Sequence, residues 1–89
     1  MKKQTVTIIN KLGLHARTSA QFVSLASQFP CDIQVHRDDM IVNGKSLMAL
    51  LTLAASQNTD ITIITEGEQA EQALKALVDL VEQGFGEEV

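Results

Sequence analysis

Asp32-Ile33-Gln34-Val35-His36-Arg37-Asp38-Asp39-Met40-Ile41-Val42-Asn43 is the stretch that decides the fold. Ile33 and Val35 alternate with Asp32, Gln34 and His36, the period of a strand with one apolar and one polar face. Met40 to Val42 resumes the extended pattern after Arg37-Asp38-Asp39, which predicts a tight hairpin, and Asn43-Gly44 ends its second arm.

Working outward, residues 3 to 9 also alternate, with Val6 and Ile8 against Thr5 and Thr7, until Asn10-Lys11-Leu12-Gly13 breaks the pattern. From Ala16 to Phe29 a helical face is expected to carry Ala16, Ala20, Phe22, Val23, Ala26 and Phe29, and Pro30 stops it. After the hairpin, Ser46 is a good N-cap for a short helix with Leu47, Leu50, Leu51 and Ala54 on one side, although Ala49 leaves the capping box incomplete. Ile61 to Thr65 reads as a fourth strand. Ala70, Ala73, Leu74, Leu77, Val78 and Val81 then form the apolar stripe of a last helix, which Gly84 ends. The order β-α-β-β-α-β-α predicts an α+β fold: an open-faced two-layer sandwich of a four-stranded antiparallel sheet with three helices on one face.

At 89 residues the chain is expected to be one domain, residues 1 to 89, with one core. Its longest apolar run, Leu47 to Leu51, is too short to span a bilayer, and Met1-Lys2-Lys3 leads into a β-like segment rather than a secretory signal. The expected location is therefore cytoplasmic. The net charge of −4 is unevenly spread: residues 1 to 45 carry six Lys/Arg against three Asp/Glu, and residues 46 to 89 carry one against eight. With an acidic balance, three Phe and no Trp or Tyr, the chain lacks the basic patch and stacking platform of a nucleic-acid binder. Cys31 is alone, so no internal disulfide forms, and two distant histidines beside it give no metal-ligand spacing. No metal or other cofactor is expected.

His36 occupies a polar strand position with no carboxylate or cysteine pattern around it and reads as a solvated histidine. His15 differs, because it stands where a glycine-containing loop meets the first turn of a helix, with Arg17 two residues on. The first amide N–H groups of a helix lack partners and its macrodipole is positive there, while an arginine fork suits phosphate oxygens. A neutral imidazole is a competent nucleophile near neutral pH, and phosphoryl transfer needs mainly positioning and charge neutralisation. The junction thus suits reversible phosphorylation of His15. The residues alone leave a plainer reading open, in which His15 only caps the helix and Arg17 is a solvated charge.

Gly13-Leu14-His15-Ala16-Arg17, with Ala20 and Phe22-Val23 following, closely resembles the active-site segment of the histidine-containing phosphocarrier protein (HPr) family of the phosphoenolpyruvate-dependent phosphotransferase system. Asn43-Gly44-Lys45-Ser46-Leu47-Met48 resembles that family's regulatory-serine segment, and the likeness extends over nearly the whole chain. The resemblance implies a carrier rather than an enzyme. His15 would accept phosphate on a ring nitrogen, as pros-phosphohistidine, from a phosphorylated Enzyme I type phosphotransferase and pass it to an enzyme II A-type acceptor. Arg17 would steady the phosphoryl group, Ser46 would be a site of regulatory phosphorylation, and Leu47, Met48, Leu51 and Thr18 would form the partner-docking surface of a monomer. A non-catalytic regulatory binding module is the alternative from another class. One departure stands out: the family segment usually reads His-Ala-Arg-Pro, and Thr18 takes the place of that proline, which is expected to restore a donor and loosen the first helical turn. The Gly84-Phe85-Gly86-Glu87-Glu88 tail and Leu50-Leu51-Thr52-Leu53 resemble the nitrogen-related regulatory branch (NPr) more than the sugar branch.

Overall fold

A computed structural model describes residues 1–89. The elements follow the expected order: β1 (Lys2–Thr7), α1 (Ala16–Ala26), β2 (Asp32–Arg37), β3 (Met40–Asn43), α2 (Leu47–Thr52), β4 (Asp60–Glu66) and α3 (Ala70–Glu82), then a 3₁₀ turn at Gly84–Gly86. The four strands form one sheet in the order β1-β4-β2-β3, and every pairing is antiparallel. Arg37 pairs with Met40, so Asp38-Asp39 is a two-residue hairpin loop. Asp38 takes a left-handed φ of 53°, a conformation that aspartate tolerates better than most residues.

The period-2 pattern puts Val6, Ile8, Ile33, Val35, Ile61 and Ile63 on one face, and all are buried. Three helices cover that face through Phe22 and Ala26 of α1, Leu50 of α2, and Ala73, Leu77, Val78 and Val81 of α3. The opposite face stays open: Thr5 and Thr62 share a 2.9 Å hydrogen bond across the strands, and Ile41 lies opposite His36. Ile41 is accordingly exposed. No helix is long and apolar enough to cross a membrane.

Three details of the expected helices are corrected. α1 ends at Ala26 rather than Phe29, because Gln28 and Phe29 bond back only three residues, to Leu25 and Ala26, and the residue before a proline is biased away from helical backbone. Ala16 and Ala20 are exposed, since the buried face of α1 is centred on Thr18, Ser19, Phe22 and Ala26. Leaving two methyl groups in water costs little beside burying the Phe22 ring. In α2 the buried residue is Leu50, with Leu53 buried just beyond; Ala54 is exposed at φ 50° and belongs to the connection.

The connection after β1 fixes where α1 begins. Ile8 N–H donates to the Thr59 carbonyl and Asn58 N–H to the Ile8 carbonyl, extending the pairing beyond β1, and Leu14 N–H donates to the Ala55 carbonyl at 2.8 Å. Gly13 sits between these anchors at φ 66°, where an added Cβ would meet the Ala55 carbonyl oxygen at 2.4 Å and the Ser56 Cα at 2.8 Å. Gly13→Ala is therefore expected to destabilise the protein by more than about 2 kcal/mol, from left-handed strain plus backbone displacement. Chemical denaturation measures it, and a loss below about 0.5 kcal/mol would show that the loop is free to move aside.

Candidate functional site

His15 is the N-cap of α1, with extended backbone (φ −116°, ψ −169°). Its Nδ1 accepts the Arg17 backbone N–H at 3.3 Å, and its own backbone N–H donates to Thr18 Oγ1 at 3.0 Å, closing a capping box. The nitrogen that caps the helix is thus aimed at the free amides of its first turn. The side chain keeps 30% of its surface exposed, so the ring is reachable from solvent.

Nε2 of His15 faces the Glu87 carboxylate, 3.0 Å from Oε1 and 3.1 Å from Oε2. With Nδ1 accepting and Nε2 facing a carboxylate, the hydrogen bonds assign the ring proton to Nε2 and the lone pair to Nδ1. Arg17 extends into solvent, 75% exposed, with its guanidinium Nη1 3.8 Å from Glu87 Oε2. Asn10 is fully buried and donates from Nδ2 to the Gly13 carbonyl at 2.9 Å and to Glu87 Oε1 at 3.1 Å. The hydrogen bond with His15 is the main cause holding the Glu87 carboxyl below its usual value; partial burial opposes the shift, and Asn10, the Arg17 charge and, when the ring is protonated, the His15 charge add to it. A carboxylate lowered in the folded state stabilises the fold above its ordinary pKa, and the contribution is lost as pH falls through the lowered value.

The tail that brings Glu87 here turns through Gly84 and Gly86, both left-handed, around the buried Phe85. Lys11 fastens it, donating from its backbone N–H to the Glu88 carbonyl at 2.9 Å and from Nζ to Glu88 Oε2 at 3.1 Å. Sequence reading missed both Glu87 and Asn10. Glu87 lies 72 residues from His15, and its one signal is an acid in a glycine-flanked tail after the last helix; Asn10 reads only as a strand breaker.

Thr18 is corrected on two counts. It is fully buried, so it offers no docking surface, and its hydroxyl tightens the turn, donating to the Gly13 carbonyl at 2.8 Å while accepting from His15 N–H. Ser46 caps α2, its Oγ accepting the Ala49 N–H at 3.2 Å, and is partly exposed. Met48 is 73% exposed and Leu47 37%, whereas Leu51 is half-buried; Leu12, in the loop before His15, is also 73% exposed. His36 stands apart on the open face of the sheet, beside Gln34. No cluster of three or more His, Cys, Asp or Glu side chains is placed to hold a metal ion.

Thr18→Val keeps the shape of the side chain and deletes both hydrogen bonds, so it is expected to cost about 1 to 3 kcal/mol by stranding buried backbone groups. Thermal unfolding would measure the loss, and equal stability would mean that water replaces the hydroxyl.

Residues 2–83 match the family described as the PTS HPr component phosphorylation site. A phosphocarrier protein HPr of Pseudomonas aeruginosa is 51% identical over 83 residues, covering 92% of each chain. An HPr structure from Thermoanaerobacter tengcongensis superposes with a TM-score of 0.96 at 48% identity over the whole of both chains. An HPr dimer from the same organism matches with a TM-score of 0.79 at 48% identity, covering 98% of this chain and all of the other, so a monomeric state is not a rule among these relatives. An open antiparallel sheet under three helices agrees with these matches over nearly the full length, and the chain belongs to the HPr phosphocarrier family of the phosphotransferase system.

Proposed function

We propose that His15 is the phosphate acceptor of this carrier, taking a phosphoryl group on Nδ1 from a phosphorylated Enzyme I type phosphotransferase and releasing it to an enzyme II A-type acceptor in the cytoplasm. The observation that carries the reading is the placement of Nδ1: its lone pair points at the Arg17 N–H in the first turn of α1 while Nε2 holds the proton. A phosphoryl group on Nδ1 would present its oxygens to the N-terminal amides and the helix dipole. Arg17, largely in solvent, is free to turn its guanidinium onto the same oxygens. Exposed Leu12, Leu47 and Met48 supply apolar surface for partners, and Leu51 is half-buried. The likeness of the Gly84–Glu88 tail to the nitrogen-related branch favours acceptors of that branch, and offering the loaded protein to acceptor domains of both branches decides between them.

Incubation with phosphoenolpyruvate and the first enzyme of the system is expected to add one acid-labile phosphate, read by mass spectrometry. His15→Ala is expected to abolish the gain and His36→Ala to leave it unchanged. If neither wild type nor variant gained phosphate, the chain would be a static binding module instead. Arg17→Ala should lose one charge-assisted contact worth about 1.5 to 3 kcal/mol, slowing transfer by roughly one to two powers of ten, and Arg17→Lys should recover only part of it.

Regulation at Ser46 would act through docking. A negative charge there lies favourably on the dipole of α2, so Ser46→Asp is expected to leave stability equal or raise it by a few tenths of a kcal/mol. A partner packed against Met48 must desolvate that charge, so the apparent KM for this protein as substrate of the first enzyme should rise with the maximal rate less affected. A titration of rate against carrier concentration reads this, and an unchanged KM would return Ser46 to the role of a cap.

A further inference from the structure

Phe85 provides the tail with its packing and Lys11 fastens Glu88, so the tail is anchored at other points than the Glu87 carboxylate. That carboxylate is nevertheless aimed at the ring nitrogen of His15 that the phosphate would not use, with both oxygens within 3.1 Å. Only 13% of its side-chain surface is exposed, and Asn10, itself fully buried, holds Oε1 from the other side. We propose that Glu87 is the positioning residue of the relay, keeping the proton of His15 on Nε2 so that Nδ1 is the nucleophile, and balancing the positive charge that the ring carries once it is loaded. This rests on the reading that His15 is phosphorylated.

The charge follows from the step itself. The Nδ1 lone pair of a neutral ring forms the N–P bond, the bond from phosphorus to the donor breaks, and its electron pair returns to the donor. No proton leaves, so the ring becomes a phosphoimidazolium with its Nε2–H still in place. On the way out the N–P electrons return to the ring, which departs neutral. Were Nε2 deprotonated in the loaded state, the leaving group would be an imidazolate, a far poorer one, and the phosphate would be trapped. A carboxylate at Nε2 favours the protonated ring and so keeps the loaded carrier able to discharge. Arg17 of α1 is the other charge facing this carboxylate, and Lys11 and Glu88 neutralise each other beside it. Loading gives Arg17 a competing set of oxygens, which leaves Glu87 to the ring.

The test uses the full chain with Glu87→Gln and Glu87→Ala, alongside wild type and His15→Ala. Ring ¹⁵N chemical shifts of unloaded His15 report the tautomer without any phosphate present. Wild type and Glu87→Gln are expected to show a single Nε2–H form, since the amide oxygen still accepts, while Glu87→Ala should show both tautomers and take up phosphate about tenfold more slowly. In the loaded protein, Glu87→Gln should lower the pH at which the Nε2 proton is lost by about 1 unit, and discharge to an acceptor domain should fail at correspondingly lower pH. Melting temperatures close to wild type separate these effects from unfolding. Unchanged ring shifts in Glu87→Ala, or an unmoved discharge profile in Glu87→Gln, would overturn the proposal. If wild type takes phosphate and His15→Ala does not, such a result strikes Glu87 alone; if wild type takes none, the relay reading itself has failed.

Discussion

One apolar face on one small sheet governs the whole arrangement. Val6, Ile8, Ile33, Val35, Ile61 and Ile63 point to the same side, so every helix has to lie there, and the opposite side is left open. With the helices confined to one layer, α3 runs over β1 and β4, and its end returns to the place where the chain leaves β1. Ile9 lies against Gly84, and Lys11 against Glu88. The loop before α1 and the tail after α3 are thereby forced together, and His15 stands at their meeting point.

Local hydrogen bonding then sharpens what the topology brings close. A threonine hydroxyl that would be a neutral choice on a solvated helix face is here enclosed, and it ties His15 N–H to the Gly13 carbonyl. Gly13 can approach the Ala55 backbone because it has no side chain, and Asn10 bridges the same carbonyl to the tail. These contacts hold the backbone, while the ring of His15 is held separately from its two nitrogens. Arg17 is the one member of the group left long, exposed and able to turn.

Much of this is written in short-range pattern. The alternation in Ile33 and Val35 and the stripe from Ala70 to Val81 each obey a single period, and each matches an observed element, while the turn expected at Arg37-Asp38-Asp39 closes on Asp38-Asp39 alone because Arg37 is the last residue of β2. The cap at Ser46 and the stop at Gly84 are equally local. What escaped were features decided by tertiary contact. The small residues of α1 do not say which side faces the sheet, since Ala16 and Ala20 fit either environment, and the side actually enclosed carries two hydroxyls, Thr18 and Ser19. Glu87 escaped for a different reason: its partner is at the far end of the sequence, and no periodicity links an acid in a tail to a ring at a helix start.

The cap of α1 is a ring nitrogen, whereas most helices use a hydroxyl or a carboxylate. A nitrogen can give up its lone pair to phosphorus and offer three oxygens to the same amides in its place, so the helix would begin with a satisfied turn whether the ring is bare or loaded. The two forms would then share one shape, and neither would have to refold to become the other. Proteins that meet this carrier would have to distinguish full from empty by charge, through the added dianion at the tip of α1, and the acidic cluster or basic fork on a partner's own face would decide which form it keeps.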